Sequence, residues 1–263
     1  MLCVVATPSF AIDMNAQYVQ QTNELLNSDS SGVINTAALQ RTISGYGDIF
    51  YRNLEGLSWN MELHEQFAFD YSALSYAQIA STLSYRRQNE LLFFEPWYRF
   101  DSRLAYTFTG NPIYYGIELK TTASRQQQVT DSIQLFSALE LTNKWHESND
   151  LSSRAIGLYV GADKRVTPKL SVYGVASLHG GKQLTSSTEL SEKSIVNRQL
   201  TEQLPGSWYS STKDGYWANG LIGLNMPVTE DLAVDIAIRS EVGTLEKNKY
   251  VNHSLLFSAL FRF

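Results

Sequence analysis

Leu255-Leu256-Phe257-Ser258-Ala259-Leu260-Phe261-Arg262-Phe263 puts Leu255, Phe257, Ala259, Phe261 and Phe263 on one face of an extended chain, because successive side chains of a strand point to opposite sides. Such period-2 alternation reads as a β-strand with one apolar face. Two architectures supply a partner for that face. In a soluble sandwich or a lipocalin-like barrel it packs on a core, and in a transmembrane barrel it meets lipid. The stretch alone leaves both open, so the preceding residues decide.

Alternation of the same kind starts at Leu57. Leu57, Trp59, Met61 and Leu63 oppose Ser58, Asn60, Glu62 and His64, and Ala77, Ile79, Leu83 and Tyr85 oppose Gln78, Thr82 and Arg86. Next, Phe94, Tyr98, Phe100, Leu104, Tyr106 and Phe108 oppose Arg99, Asp101, Arg103 and Thr107. That run is longer than the ~5–6 residues of an ordinary strand and suits the ~9–11 residues needed to cross a bilayer at a tilt. The breaker Gly110-Asn111-Pro112 turns the chain into Ile113, Tyr115, Ile117 and Leu119, which predicts a tight hairpin.

Six further strands follow. They centre on Ile133–Leu141, Ile156–Ala162, Leu170–His179, Tyr216–Met226, Leu232–Arg239 and Tyr250–Phe263, making ten in all. The expected fold is therefore all-β: a closed antiparallel up-and-down barrel of about ten strands over residues 57–263, with eight or twelve as alternatives. An even count returns the chain to the side it started from. The one long insertion, residues 180–214, falls on the face opposite the termini. The connection 121–130 is long for the terminus face and fits that sorting less well.

The remaining residues divide at Ala11. Residues 1–11 read as the end of a signal peptide, an apolar patch followed by Ser9 and Ala11 in the small-residue spacing of a cleavage site. No basic segment precedes the patch, and no small-residue lipobox precedes Cys3. Residues 12–56 lack strand alternation and carry the breaker run Asn27-Ser28-Asp29-Ser30-Ser31-Gly32. They are expected to form a polar N-terminal extension, either periplasmic or a lumen plug.

Composition narrows the function. A mean hydropathy of −0.22, with no apolar run near ~18 residues, excludes helical membrane spans. It suits a barrel in which lipid-facing and lumen-facing residues cancel in the average. The net charge of −5 and scattered Lys and Arg give no basic stripe for nucleic acid. Cys3 is the single cysteine, so the body of the chain is cysteine-free, as suits an oxidising compartment. No metal-ligand spacing or phosphate-binding glycine loop occurs, and no cofactor is expected.

The terminal phenylalanine strand, the alternation and the partial loop sorting together resemble the outer-membrane β-barrel proteins of Gram-negative bacteria. The resemblance covers residues 57–263 and does not reach a subfamily. It implies an outer-membrane location with both termini periplasmic, contact with membrane lipid, and recognition of the last strand by the barrel-assembly machinery. The implied function is a small channel or envelope component passing a small polar solute, with the membrane part of a surface-polymer export system as one form of it. Alternatives are a surface enzyme acting on lipid or protein, and an adhesive barrel that uses loop 180–214.

Parity assigns the candidate residues. Arg99, Asp101, Arg103, Glu118, Lys120, Glu140, Asp235 and Arg239 oppose the apolar face and are expected to line the lumen. On neighbouring strands, Arg99, Asp101 and Arg103 are expected to pair with Glu118 and Lys120. The enzymatic alternatives rest on three histidines. His146 has Ser148 two residues on, the spacing of lipase-like barrels, while His64, in Glu62-Leu63-His64, and His179 are candidate bases in a protease-like barrel.

Overall fold

The computed structural model describes residues 10–27, 30–52, 54–69, 75–88, 95–108, 116–146, 152–188, 208–245 and 248–262. These residues form twelve strands: β1 (Phe10–Asn27), β2 (Ser30–Arg52), β3 (Glu55–Ala68), β4 (Tyr76–Gln88), β5 (Trp97–Phe108), β6 (Gly116–Thr130), β7 (Ile133–Trp145), β8 (Ser153–Thr167), β9 (Leu170–Thr188), β10 (Trp208–Pro227), β11 (Leu232–Leu245) and β12 (Asn248–Arg262). Each pairs antiparallel with its chain neighbours, and β1 pairs with β12, from Asp13 opposite Arg262 to Leu25 opposite Tyr250. One sheet thus closes on itself and leaves no edge with unpaired backbone groups.

The barrel has twelve strands where ten were expected. The extra pair is β1 and β2, which occupy the stretch 12–56 that alternation had left as an extension. Its outward positions explain the miss. Ala16 and Gln20 on β1 and Ala37, Arg41, Gly45 and Gly47 on β2 share parity with Tyr18, Leu39 and Ile43, so small or polar residues interrupt the apolar face. Residues 1–9 of the expected leader lie outside the described residues. Phe10 and Ala11 belong to β1 and pair with Gly47 and Tyr46.

Connections differ between the two ends. On the terminus end, β6 continues to Thr130 and meets β7 at Ile133, so the expected long connection 121–130 is strand and the turn is two residues. The turn between β8 and β9 is equally short. Register shifts at Asp48/Phe50, Gln128/Thr130 and Arg165/Thr167 all fall at this end, where bulges let strands bend at a barrel rim. On the other end, β9 runs to Thr188 and β10 starts at Trp208, which shortens the expected insertion 180–214 to residues 189–207. Residues 189–207, the breaker 110–112, Phe94, Ile113, Tyr115 and Phe263 lie outside the described residues.

Packing is inverted relative to a water-soluble β-protein. Among the described residues the buried apolar side chains are three alanines, Ala80, Ala105 and Ala237. Large apolar side chains such as Leu104, Leu158, Val160, Ile222 and Ile238 are 54–69% exposed. They follow one parity on each strand and form a continuous outer band. Aromatics sit at both margins of that band: Phe67, Phe108, Trp145 and Tyr216 near the loop end, and Phe50, Tyr85 and Tyr98 near the terminus end. A lipocalin-like barrel would reverse this, with its apolar side chains inside.

Candidate functional site in the bore

The inward parity is the one opposite the apolar band, and its polar side chains reach past a neighbouring strand. Arg103 on β5 reaches Glu62 on β3, and Tyr173 on β9 reaches Asp235 on β11. All eight charges singled out from the sequence, Arg99, Asp101, Arg103, Glu118, Lys120, Glu140, Asp235 and Arg239, lie on this face. The structure joins them into two sectors.

The first sector spans β3 to β6 around Arg103. Its Nε donates to Glu62 at 3.3 Å, Nη1 to Glu118 at 3.3 Å and Nη2 to the side-chain oxygen of Gln78 at 2.8 Å. One guanidinium therefore ties three other strands together along this side of the bore. The small, buried Ala80 and Ala105 occupy neighbouring inward positions. Toward the terminus end, Arg99 Nε donates to Asp101 at 2.7 Å, and its Nη2 to Ser84. Arg86 lies over the Tyr51 ring, 4.8 Å from the centroid, close enough for cation–π attraction.

The expected pairing of these charges holds for Arg103 with Glu118 but not for Lys120. Arg103 and Lys120 stand directly opposite in the register, and like charges in that position repel. Lys120 turns to the other side, to Glu140 on β7 at 3.4 Å. That contact leads into the second sector.

The second sector, from β6 to β12, combines charges with aromatic rings. The Tyr159 hydroxyl donates to Glu140 at 3.1 Å, Tyr173 to Asp235 at 2.8 Å and Tyr250 to Glu241 at 2.9 Å. Arg239 Nη2 donates to both Glu241 and Asn219 at 3.1 Å. The rings lie flat on the wall because glycines stand opposite them. Gly157, Gly161, Gly223 and Gly243 face His179, Phe136, Tyr173 and Tyr250 in the register. A Cβ at each of these glycines would come within 2.7, 2.1, 2.4 and 2.5 Å of the facing ring. These glycines are needed for close approach, a familiar role for glycine within a strand.

Sequence reasoning named Glu62 only beside His64 and missed Gln78, Glu241, Trp217 and the three tyrosines as site residues. All share parity with the singled-out charges, so the signal was present, but their pairing depends on cross-strand register.

The histidines are placed as follows. His64 Nδ1 lies 2.9 Å from the Thr42 hydroxyl and Nε2 lies 3.2 Å from that of Tyr76. His179 bonds Ser177 at 2.9 Å, stacks on Trp217 with 2° between the planes, and meets Tyr159 edge-on. His146 closes β7, its backbone N–H donating to Ser152, and Ser148 lies outside the described residues. His253 faces outward with the Ser240 hydroxyl at 2.9 Å. Neither His64 nor His179 carries a hydrogen-bonded carboxylate on its ring, the group that would orient a general base. Among the described residues no three His, Cys, Asp or Glu side chains converge as a metal site.

A recess of about 530 Å³ opens in the second sector, lined by Lys120, Glu140, Ser177, His179, Trp217, Asn219 and Arg239 among others. Two larger recesses, about 970 and 750 Å³, lie mainly along the outward face, among residues such as Leu135, Val160, Ile222 and Leu158. They belong to the apolar band.

No protein-family model matches the sequence, and no curated protein matches it. Among solved structures the fold is similar to an outer membrane channel from Pseudomonas putida F1, with a TM-score of 0.62 at 11% identity over 98% of this chain and 97% of that one. It is also similar to the NanC porin, with a TM-score of 0.50 at 8% identity over 94% of this chain and 100% of that one. At these identities the likeness is one of fold.

Proposed function

We propose that this protein is an outer-membrane channel for small polar solutes, with both chain termini on the periplasmic side. The observation that carries this reading is the inversion of polarity: the outer band is apolar and rimmed by aromatics, while the inner wall holds ion pairs, amides and hydroxyls. In water the band would expose Leu, Ile and Val on every strand, far beyond the patches that monomeric soluble proteins tolerate. In a bilayer the same band is satisfied, and among the described residues the closed sheet leaves no open edge. The likeness in fold to an outer membrane channel supports the reading.

The rims support that orientation. On the terminus end three connections are two residues long and 89–96 is eight, while the other end carries the longest connection, 189–207, beside the two-residue connections 28–29 and 246–247, a partial form of the sorting in bacterial barrels with periplasmic turns and external loops. The Arg103 side chain, held to β3, β4 and β6, narrows the bore on that side and favours small solutes over a polymer chain.

Purified protein in planar bilayers is expected to give discrete conductance steps above background. A folded, heat-modifiable preparation that inserts but shows no steps would overturn the channel reading.

A further inference from the structure

We infer that the bore is anion-selective and holds, in the recess lined by Lys120, Arg239 and Trp217, a binding site for a small cyclic carboxylate. The inference rests on the channel reading and names the solute class of the same bore. It runs against the chain's net charge of −5, so it has to be carried by where the charges sit.

In three of the inward ion pairs the cation stands forward of its carboxylate, whereas Arg103 is level with Glu62 and Glu118, at 21% against 24% and 21%. In the Arg99–Asp101 pair the side chains are 52% and 20% exposed, in Lys120–Glu140 35% and 16%, and in Arg239–Glu241 48% and 13%. Short acidic side chains stay near the wall, whereas longer basic ones reach past them. Phenols reinforce the difference, because Tyr159 and Tyr250 donate to Glu140 and Glu241 from the wall side. Glu140 and Glu241 therefore each have their charge shared between a cation and a hydroxyl, and Asp235 accepts from the Tyr173 hydroxyl.

The cations keep spare donors. Arg239 uses Nη2 for both Glu241 and Asn219, which leaves its Nε and Nη1 unused among the described residues. Lys120 has three N–H groups and one carboxylate partner. Both line the same recess, where a second anion can receive charge-assisted hydrogen bonds of the strong kind.

Trp217 supplies the rest of the specificity. Its ring lies parallel to His179 at 5.3 Å between centroids, and His179 is pinned by Ser177 and by the edge of Tyr159. A rigid indole beside two cations suits a ligand with one anionic end and one flat or puckered apolar face. An unbranched small anion would use the cations alone, and a neutral ring the indole alone.

The test uses the full chain in planar bilayers, with benzoate, acetate and benzyl alcohol as probes. In a potassium chloride gradient the reversal potential is expected to show chloride preferred over potassium. Benzoate is expected to block the chloride current at lower concentration than acetate or benzyl alcohol. Lys120→Gln and Arg239→Gln are each expected to raise the half-blocking benzoate concentration roughly tenfold, the equivalent of about 1.4 kcal/mol. Potassium preference, or equal block by benzoate in wild type and both variants, would overturn the inference. Because a channel failure must be told apart from a site failure, benzoate quenching of Trp217 is read in detergent as the difference between wild type and Trp217→Phe. Quenching without conductance would retain the site and remove the channel; absence of both would remove both.

Discussion

Replacing Gly223 by alanine should act through one ring. The new Cβ would lie 2.4 Å from Tyr173 Cζ, 2.5 Å from its hydroxyl oxygen and 2.7 Å from Cε1, whereas carbon atoms rest at about 3.5–4.0 Å. These contacts all involve the far end of a side chain, so the ring can leave the wall by about 1 Å or more. That movement carries the hydroxyl away from Asp235, now 2.8 Å distant, beyond hydrogen-bond reach. A hydrogen bond to a charged group contributes about 1.5–3 kcal/mol. Against this, alanine in a strand interior is favoured over glycine by roughly 0.5–1 kcal/mol. The net expectation is a destabilisation of about 1–2 kcal/mol in denaturant unfolding from lipid vesicles. Unit conductance should also fall, because the ring and the released carboxylate both move into the bore. Tyr173→Ala supplies the control. With the ring gone the added methyl meets no clash, and Gly223→Ala becomes neutral or mildly stabilising in that background, a double-mutant cycle with a coupling of about 1.5–3 kcal/mol. Equal destabilisation in both backgrounds would refute the proposed contact and, with it, the account of glycines as seats for inward rings.

Three other perturbations separate the parts of the fold. Deleting residues 1–27 removes β1 and leaves β2 and β12 with unpaired edges, so no heat-modifiable band should form on unboiled gels; a residual extension would have left folding intact. Arg103→Ala leaves Glu62 and Glu118 facing each other without their shared cation, with an expected cost of about 2–3 kcal/mol at this partial exposure. Unfolding should show Glu62→Gln recovering part of that loss, and single-channel records should show a larger unit conductance. On the outward face, Arg41 and Glu65 form an ion pair between β2 and β3, on the parity of Leu39, Ile43, Leu63 and Phe67. Glu65→Leu strands a guanidinium against lipid and should cost about 2–4 kcal/mol, while the double replacement by leucine should be near neutral, as for other desolvated pairs; vesicle unfolding of both variants checks both values.

Alternation in a barrel sequence measures the demand of the lipid rather than the presence of a strand. β5 and β12 were legible because their outward residues, Tyr98 to Phe108 and Leu255 to Phe261, are apolar but for Ser102. β6 beyond Ala123 was read as a connection because Arg125 and Gln127 face outward near the rim, leaving both faces polar. The outer ends of β9 and β10 reach past the apolar band, and polar residues there looked like loop. β1 and β2 were lost for a related reason: Ala16, Gln20, Arg41, Gly45 and Gly47 break the apolar face. Arg41 is tolerated because Glu65 stands beside it on the next strand, a fact of register that no single strand records. The bore divides along the same line. Which charges face inward follows from parity along one strand, so Arg99 through Arg239 could be listed. Which of them pair does not, because Arg103 stands opposite Lys120 and both must reach away from each other, one to β3 and the other to β7. Glycine seats under aromatic rings are likewise relations between strands. A single chain therefore under-counts strands wherever a neighbour, and not lipid, satisfies the outward residue, and β1 and β2 mark such a sector of the wall.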